Sequence, residues 1–332
     1  MVLIMSDEKD ISTIHVIEWL LHWRIPFFRI NREDRIELEA ISIANNAEIQ
    51  ISLVKNGQHR ISLEDIRVCW YRRGQLSITY PTQLPNEIEE SVKVALATNM
   101  YAELDSIIEY IYFYLDCLPH IGTFKTRRIN KIIALHKASQ LGLDVPKTLI
   151  TPSKSIYRCF FDKVPTITKA IRDSIEVKVN NQSFAAYTEM ISLSQLQNQF
   201  FPSKFQSMIE KEADLRIFYL LGKFFSMAIL SQKNKRTSVD FRKYDFNNPN
   251  RCFPFQLPIL LQEKLIQLMN ELGLESGSID MILTKSGRYV FLEVNPVGQF
   301  NMVSLPCNYY LEREIALHLS SYVKNQNTWK SF

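Results

Sequence analysis

The chain is organised around the stretch SIDMILTKSGRYVFLEVNPVGQF, residues 278–300. Two apolar runs rich in β-branched residues flank a Lys-Ser-Gly-Arg segment, a pattern typical of a β-hairpin. Because side chains alternate across a strand, Glu293 and Asn295 project from one face, and Asp280 on the neighbouring strand can lie beside them. The stretch therefore predicts a hairpin that gathers three oxygen donors.

These donors outline a site for a divalent cation. Carboxylate and amide oxygens without Cys or His suit a hard ion such as Mg²⁺, which completes its shell with waters and nucleotide phosphates. The alternative is that Glu293 merely ends an apolar strand and Pro296 stops it. An acid and an amide in such a run cost burial energy unless they are paired or bound to metal, which favours the metal site.

Composition limits the function classes. The 332 residues suffice for two or three domains, and a hydrophobic content of 46% with 22% charged residues is ordinary for a globular protein. A net charge of +4 is too small to predict nucleic-acid binding, and no segment approaches membrane-spanning length, so we expect neither partner. The five cysteines are odd in number and widely spaced, which suggests neither a zinc site nor disulfides and favours a cytoplasmic protein.

Read in order, the chain opens with a β-α-β pattern. Val2 to Met5 and Phe27 to Ile30 are strands, and the helix between them can be capped by Asp10 or Ser12. A three-stranded meander follows, and the next long helix ends before a break at residues 120–123. We place domain boundaries at the ends of three segments: residues 1–119, 120–195 and 196–332.

Four basic residues lie at positions where a charged side chain would favour an anionic partner. Lys131 begins a helix, where it opposes the macrodipole unless an anion is near. Lys169 lies in an apolar strand, so that a phosphate partner and a snorkelling edge lysine are equally good explanations. Arg72 and Arg73 end a strand, where they could reach an anionic ligand or form a solvated charge pair, the more frequent outcome.

The order of these features resembles the ATP-grasp ligases: two lysines, a short apolar hinge, an Asp-x-Arg strand, then Asp and Glu-x-Asn on a terminal hairpin. The match is sharpest in four segments, residues 291–300, residues 141–151, Ser231-Gln232 followed by 239–242, and Trp70 to Arg73. Within that class the chain resembles the microviridin-type (graspetide) macrocycle-forming ligases, especially the maturases of grasp-with-SPASM peptide clusters. The resemblance spans about residues 2 to 320.

The resemblance implies an α/β (α+β) fold: an N-terminal β-α-β pre-ATP-grasp domain, then central and C-terminal ATP-grasp subdomains, the last holding the Mg/ATP site. It also implies roles for individual residues. These are Lys131 and Lys169 as phosphate contacts, Met208 and Ile209 as the hinge lining adenine, Asp214 as a ribose contact, Asp280, Glu293 and Asn295 as Mg²⁺ ligands, and Arg216 and Arg242 as catalytic residues. The chain departs from many ATP-grasp proteins in having no glycine between Ala170 and Ser183.

The activity implied is that of an ATP- and Mg²⁺-dependent carboxylate-amine or carboxylate-alcohol ligase. It would activate Asp and Glu side chains of a ribosomal precursor peptide, leader plus core, as acyl phosphates and form macrocyclic ester or amide crosslinks. Two alternatives stay open, an intermolecular amino-acid or peptide ligase and a non-catalytic peptide-binding module. The second is disfavoured because the full set of acids and lysines is present. A homodimer is a further expectation.

A leader peptide needs a docking surface away from the chemistry. We place this surface at residues 187–204, where Phe200, Phe201 and Phe205 lie close together in sequence. An aromatic cluster of this kind is more often core than interface. The hypothesis is that leader binding orders the phosphate-covering segment, residues 170–183.

Overall fold

The computed structural model describes residues 1–45, 49–80, 88–172, 176–179, 182–185, 188–232 and 249–324. Contacts between Cα atoms divide the chain into two compact units: Met1–Arg127 with the C-terminal segment from Tyr310, and Arg128–Tyr309. The three-segment partition at residues 119/120 and 195/196 stays a prediction. In the ranges given above, no helix is both long enough and apolar enough to cross a membrane.

The strands, in chain order, are β1 (Val2–Ser6), β2 (Phe27–Asn31), β3 (Ile36–Ile43), β4 (Ile49–Lys55), β5 (His59–Ser62), β6 (Val68–Tyr71), β7 (His120–Ile121), β8 (Thr148–Ser153), β9 (Thr166–Thr168), β10 (Glu176–Val179), β11 (Gln182–Ala185), β12 (Glu189–Ile191), β13 (Gln199–Ser207), β14 (Lys211–Leu220), β15 (Lys223–Leu230), β16 (Arg251–Phe255), β17 (Ser276–Thr284) and β18 (Tyr289–Asn295). The α-helices are α1 (Ile11–His22), α2 (Glu90–Asp116), α3 (Lys131–Gln140), α4 (Lys154–Phe161), α5 (Ile259–Glu271), α6 (Asn301–Cys307) and α7 (Leu311–Lys324).

The first unit contains the predicted β-α-β opening. Its parallel sheet has the order β2-β1-β6-β7, and β3, β4 and β5 form the antiparallel meander. Asp10 caps α1 by accepting a hydrogen bond from the Ser12 amide at 3.0 Å, and α7 packs against α1. The sequence from β1 to β2 is thus a local unit whose buried strand and capped helix follow from the residue pattern.

The two arginines after β6 are not a solvated charge pair. Arg72 is buried, and its Nε lies 3.1 Å from Oδ2 of Asp10, while Nε of Arg73 lies 3.4 Å from the same oxygen. Burial lowers the pKa of Arg72 to about 10, with the charge of Asp10 acting against that shift. The expectation of solvated charges is therefore wrong for Arg72, because Asp10 compensates its charge inside the unit.

The second unit contains two antiparallel sheets and the β10–β11 hairpin. One sheet has the order β12-β9-β13-β8, and the other has the order β16-β15-β14-β17-β18. Ala134 and Ala138 of α3 pack with Leu265 and Leu268 of α5 in the apolar core that covers the five-stranded sheet. This packing matters for the site because α3 and the terminal hairpin share one core.

Candidate nucleotide-binding site

The terminal hairpin brings the three predicted oxygen donors together. Asp280 of β17 pairs directly with Glu293 of β18, and Ser278 pairs with Asn295. Partners across an antiparallel ladder share a face, so both carboxylates and the amide lie on one side of the sheet. Nδ2 of Asn295 lies 3.4 Å from Oε1 of Glu293.

The segment after β18 folds back onto the hairpin at Gly298. The Gly298 amide donates to the Asn295 carbonyl at 3.1 Å, and a Cβ at Gly298 would lie 2.7 Å from the backbone nitrogen of Ser278. Real Cβ atoms do not approach a backbone nitrogen this closely, so only glycine fits there. This close approach fixes the end of the strand that carries Asn295.

Helix α3 delivers the first lysine. Lys131 precedes Ala134 and Ala138 by three and seven residues, so it lies on the helix face that packs into the core over the sheet. Asn130 caps the helix by accepting a hydrogen bond from the Ile132 amide at 2.9 Å. As a result, Nζ of Lys131 lies 3.5 Å from Oε1 of Glu293.

The other sheet of the second unit delivers the second lysine. Lys169 follows directly after β9, and its Nζ lies 3.4 Å from Oε2 of Glu293. Each oxygen of the Glu293 carboxylate therefore faces one lysine, and the carboxylate itself is buried. The interpretation of Lys169 as a snorkelling edge lysine does not fit, because only 15% of its side chain is exposed and it turns toward a carboxylate.

Arg216 lies at the centre of the five-stranded sheet and pairs with Asp280 across β14 and β17. Its Nη1 lies 2.6 Å and 2.7 Å from the two carboxylate oxygens. The Nε of Arg216 is buried and has no hydrogen-bond acceptor among the described residues. Arg216, a predicted catalytic residue, thus contacts a predicted metal ligand directly.

Asp214 sits two residues before Arg216 and is held by its own partners. Nζ of Lys211 lies 2.9 Å and 2.8 Å from the two carboxylate oxygens, and the Ser231 hydroxyl donates to Oδ2 at 2.6 Å. Burial raises the pKa of Asp214, while Lys211 and Ser231 act in the opposite direction. An Asp214 with these partners can accept a further hydrogen bond from a ribose hydroxyl, which is the role that the resemblance implies.

An open cleft runs along these groups, and its lining includes Lys169, Ile209, Asp214, Asp280 and Glu293. Apolar side chains with a few convergent charged groups are the usual lining of small-molecule and cofactor sites. We take it as the candidate nucleotide site.

Lys131, Arg216 and Asn295 do not line the cleft themselves but contact Glu293 or Asp280, which do. Neither position is shown for two further predicted site residues. Met208 does not line the cleft; the residue is 37% exposed, and its amide donates to the Pro165 carbonyl at 2.8 Å. Arg242 lies outside the described residues. Their roles in the hinge and in catalysis stay predictions.

Sequence reasoning missed a buried lysine, Lys204, and its neighbour Gln206, which lines the cleft. The signal was present in the alternation of residues 204–207, Lys-Phe-Gln-Ser, because one face of that strand is polar. Lys211 was missed as the partner of Asp214. The spacing of three residues between Lys211 and Asp214 does not by itself indicate that the two side chains meet.

The donor chemistry of the hairpin fits Mg²⁺. Asp280, Glu293 and Asn295 offer hard oxygen ligands on one face of the sheet. In the part of the chain that the structure describes, no group of three or more His, Cys, Asp or Glu side chains is arranged to hold a metal alone. An ion at this site would therefore take the rest of its shell from phosphates and water.

No protein-family model matches the chain, and no curated protein matches it. Solved structures do match over nearly its whole length. A RiPP-associated ATP-grasp ligase from Chryseobacterium gregarium, solved with ADP and a leader and core peptide, has a TM-score of 0.76 and 21% identity, with 96% of each chain covered. The macrocyclase MdnC from Microcystis aeruginosa, bound with precursor peptide MdnA, has a TM-score of 0.71 and 24% identity, with 97% of this chain and 100% of that chain covered.

A more distant match is D-alanyl-alanine synthetase A from Vibrio cholerae. Its TM-score is 0.53 at 14% identity, with 97% of this chain and 98% of that chain covered. These matches show that the chain has the ATP-grasp fold. The fold that the sequence resemblance implied is confirmed.

Proposed function

We propose that this protein is an ATP-dependent ligase that activates carboxylate side chains of a ribosomal precursor peptide and closes them into ester or amide rings. The observation that carries the proposal is the arrangement around Glu293. One buried carboxylate is held by a lysine from a helix and a lysine from another sheet, beside a second carboxylate paired with a buried arginine. We take this arrangement as a Mg·ATP site.

The charges of the site support a nucleotide ligand. Four cationic side chains surround two carboxylates: Lys131, Lys169, Lys204 and Arg216 around Asp280 and Glu293. The formal charge of this cluster is +2, which complements the double negative charge of Mg·ATP. Without a ligand, the two carboxylates form ion pairs with the lysines and the arginine. Bound phosphates would pair with these cations instead, which would leave the carboxylate oxygens available to the metal.

The proposed roles follow from these positions. Lys131 and Lys169 hold the phosphates, Asp214 holds the ribose, and Ile209 lies against the base. Bound Mg²⁺ would neutralise charge on the phosphates. Arg216 then faces the phosphoryl group as it moves to an oxygen of the substrate carboxylate, with ADP as the leaving group.

The second step needs a nucleophile from the peptide. A hydroxyl or amine attacks the carbonyl carbon of the acyl phosphate, loses its proton and forms the new C–O or C–N bond as phosphate leaves. Supplying both groups from one peptide makes the reaction a ring closure, and holding the peptide raises the effective concentration of each group.

A peptide substrate is supported by the kind of proteins that the chain resembles. The Chryseobacterium ligase and MdnC, both with TM-scores above 0.7, were solved with leader and core or precursor peptides. The synthetase of the D-alanyl-alanine type, at a TM-score of 0.53, keeps an intermolecular ligase as the second candidate.

The five cysteines are free, which supports a reducing cytoplasm, where ATP is also available.

The decisive experiment incubates the protein with Mg·ATP and candidate precursor peptides chosen from the short reading frames beside its gene. We expect peptide-dependent ADP formation and loss of one water from a single peptide per ring, measured by mass spectrometry. Joining of two separate molecules would instead support the intermolecular ligase. Nucleotide-independent peptide binding without ADP formation would support a binding module.

A further inference from the structure

Lys204 is a buried lysine on the face of β13 that looks into the nucleotide cleft. Its side chain and backbone together are 5% exposed. In the ladder between β13 and β9, Phe205 pairs with Thr168 and Gln206 pairs with Ile167. If this register is continued by one step past the end of β9, Lys204 stands across from Lys169, and the charge of Lys169 acts on Lys204.

The alternation of side chains places Lys204 on the cleft face. Gln206 and Ile167, which flank the lysine pair on that face, both line the cleft. Phe205 projects from the opposite face into a separate apolar core, where the centroid of its ring lies 4.8 Å from that of the Tyr157 ring. Lys204 and Lys169 are therefore neighbours on one face rather than on opposite faces of the sheet.

Burying the Lys204 ammonium at this position costs folding free energy when no ligand is bound. Lys204 makes no ion pair with any residue in the described ranges, while Lys169 and Lys131 are positive charges nearby and Glu293 is the negative charge that partly offsets them. Strands β8 and β9, which flank β13, carry no titratable side chain that could compensate it. Burial, followed by the charge of Lys169, lowers the pKa of Lys204 to about 8.

Two like charges side by side at the end of a ladder destabilise a sheet, and a methionine in place of the buried Lys204 would fill the same space without that cost. Their arrangement at the edge of the cleft has a chemical use if an anion binds between them. The nearest anionic group that the proposed function supplies is a phosphate of the nucleotide.

We propose that Lys204 is a third phosphate-binding lysine, which together with Lys169 holds one phosphate group of the bound nucleotide. The proposal rests on the proposed function, since it assigns Lys204 to that same site. It adds a binding residue that the order of motifs along the sequence does not indicate.

Three variants test it: Lys204→Met, which removes the charge and keeps the length, Lys204→Arg, which keeps the charge, and Lys154→Met as control. Nζ of Lys154 donates to the Leu196 carbonyl at 2.9 Å in the same unit and is not part of the cleft. The probe is a non-hydrolysable ATP analogue with Mg²⁺, titrated by calorimetry into each protein. Melting temperature is measured without nucleotide.

We expect Lys204→Met to weaken nucleotide binding by about 10- to 100-fold, the usual effect of losing a hydrogen bond to a charged group. We also expect it to raise the melting temperature of the nucleotide-free protein, because a buried like-charge pair is relieved. Lys204→Arg should retain most of the affinity, and Lys154→Met should bind as the wild type does.

A purely structural Lys204 would give a different result. A lower melting temperature of Lys204→Met, or binding equal to that of the wild type, would overturn the proposal while leaving the nucleotide site intact. If the wild-type protein itself binds no nucleotide, the proposed function is wrong and the role of Lys204 falls with it.

Discussion

Arg216 on the central strand of the five-stranded sheet faces Asp280 on the neighbouring strand β17, with Nη1 of the arginine 2.6 Å and 2.7 Å from the two carboxylate oxygens. Both side chains are largely buried, at 10% and 14% exposure. A predicted catalytic cation thus compensates a predicted metal ligand in the absence of nucleotide. The pair couples the stability of the sheet to the chemistry of the site.

Because the pair serves both stability and chemistry, we expect that restoring its charge balance with an apolar side chain recovers stability without recovering activity. Asp280→Ala leaves the Arg216 charge buried and uncompensated, so we expect the free energy of unfolding to fall by about 3 kcal/mol. The double variant with Arg216→Met should recover part of that loss and still form no ADP. Denaturant unfolding and an ADP assay measure the two effects; recovery of turnover in the double variant would contradict the assigned roles.

A second prediction concerns Glu293, whose carboxylate faces Lys131 and Lys169. Glu293→Gln keeps the shape of the side chain and removes the charge that a metal requires. We expect Mg²⁺-dependent ADP formation to drop by at least about 100-fold while the protein stays folded. Glu271→Gln, at a surface pair with Lys137, is the matched control, and wild-type turnover in Glu293→Gln would disprove the metal assignment.

A third prediction compares two lysines of one helix. Lys131 starts α3 and reaches Glu293, whereas Lys137 on the same helix pairs with Glu271 at 2.8 Å. Lys131→Ala should weaken Mg·ATP binding by about tenfold or more, and Lys137→Ala should leave it unchanged. Equal affinities for the two variants in a titration would show that Lys131 does not contact phosphate.

The fourth prediction concerns the pH dependence of stability. Because the pKa of Lys204 falls from 10.5 to about 8 on folding, the unfolded chain binds more protons than the folded chain between these values. The free energy of unfolding should therefore rise as the pH increases from 8 towards 10.5, by up to about 3 kcal/mol from this group. Denaturant unfolding of the wild type and of Lys204→Met, in parallel over this range, isolates the contribution; identical slopes would mean that the Lys204 pKa is not lowered.

Some of the site could be predicted because it depends on local pattern. The alternation in β18 placed Glu293 and Asn295 on one face, and the hairpin turn brought Asp280 beside them, since both are consequences of strand geometry over a short span. The β-α-β opening was predictable for the same reason, with Asp10 as the helix cap.

The rest depended on how distant elements pack. Lys169 and Glu293 are 124 residues apart, and nothing in either local pattern states that they meet. Arg72 shows the same limit: its strand end was recognisable, but the buried partner, Asp10, comes from the cap of α1.

The sequence by itself determined the β-α-β opening, the meander, the terminal hairpin with its three oxygen donors on one face, and the order of motifs that resembles ATP-grasp ligases. Only the tertiary structure decided that the face bearing Lys169 and Lys204 is covered rather than open to water. The physical reason is that the two-residue period of a strand tells which side chains share a face, whereas burial of that face depends on the elements packed against it. Without knowledge of that packing, the strand pattern alone would place Lys204 on a face open to solvent.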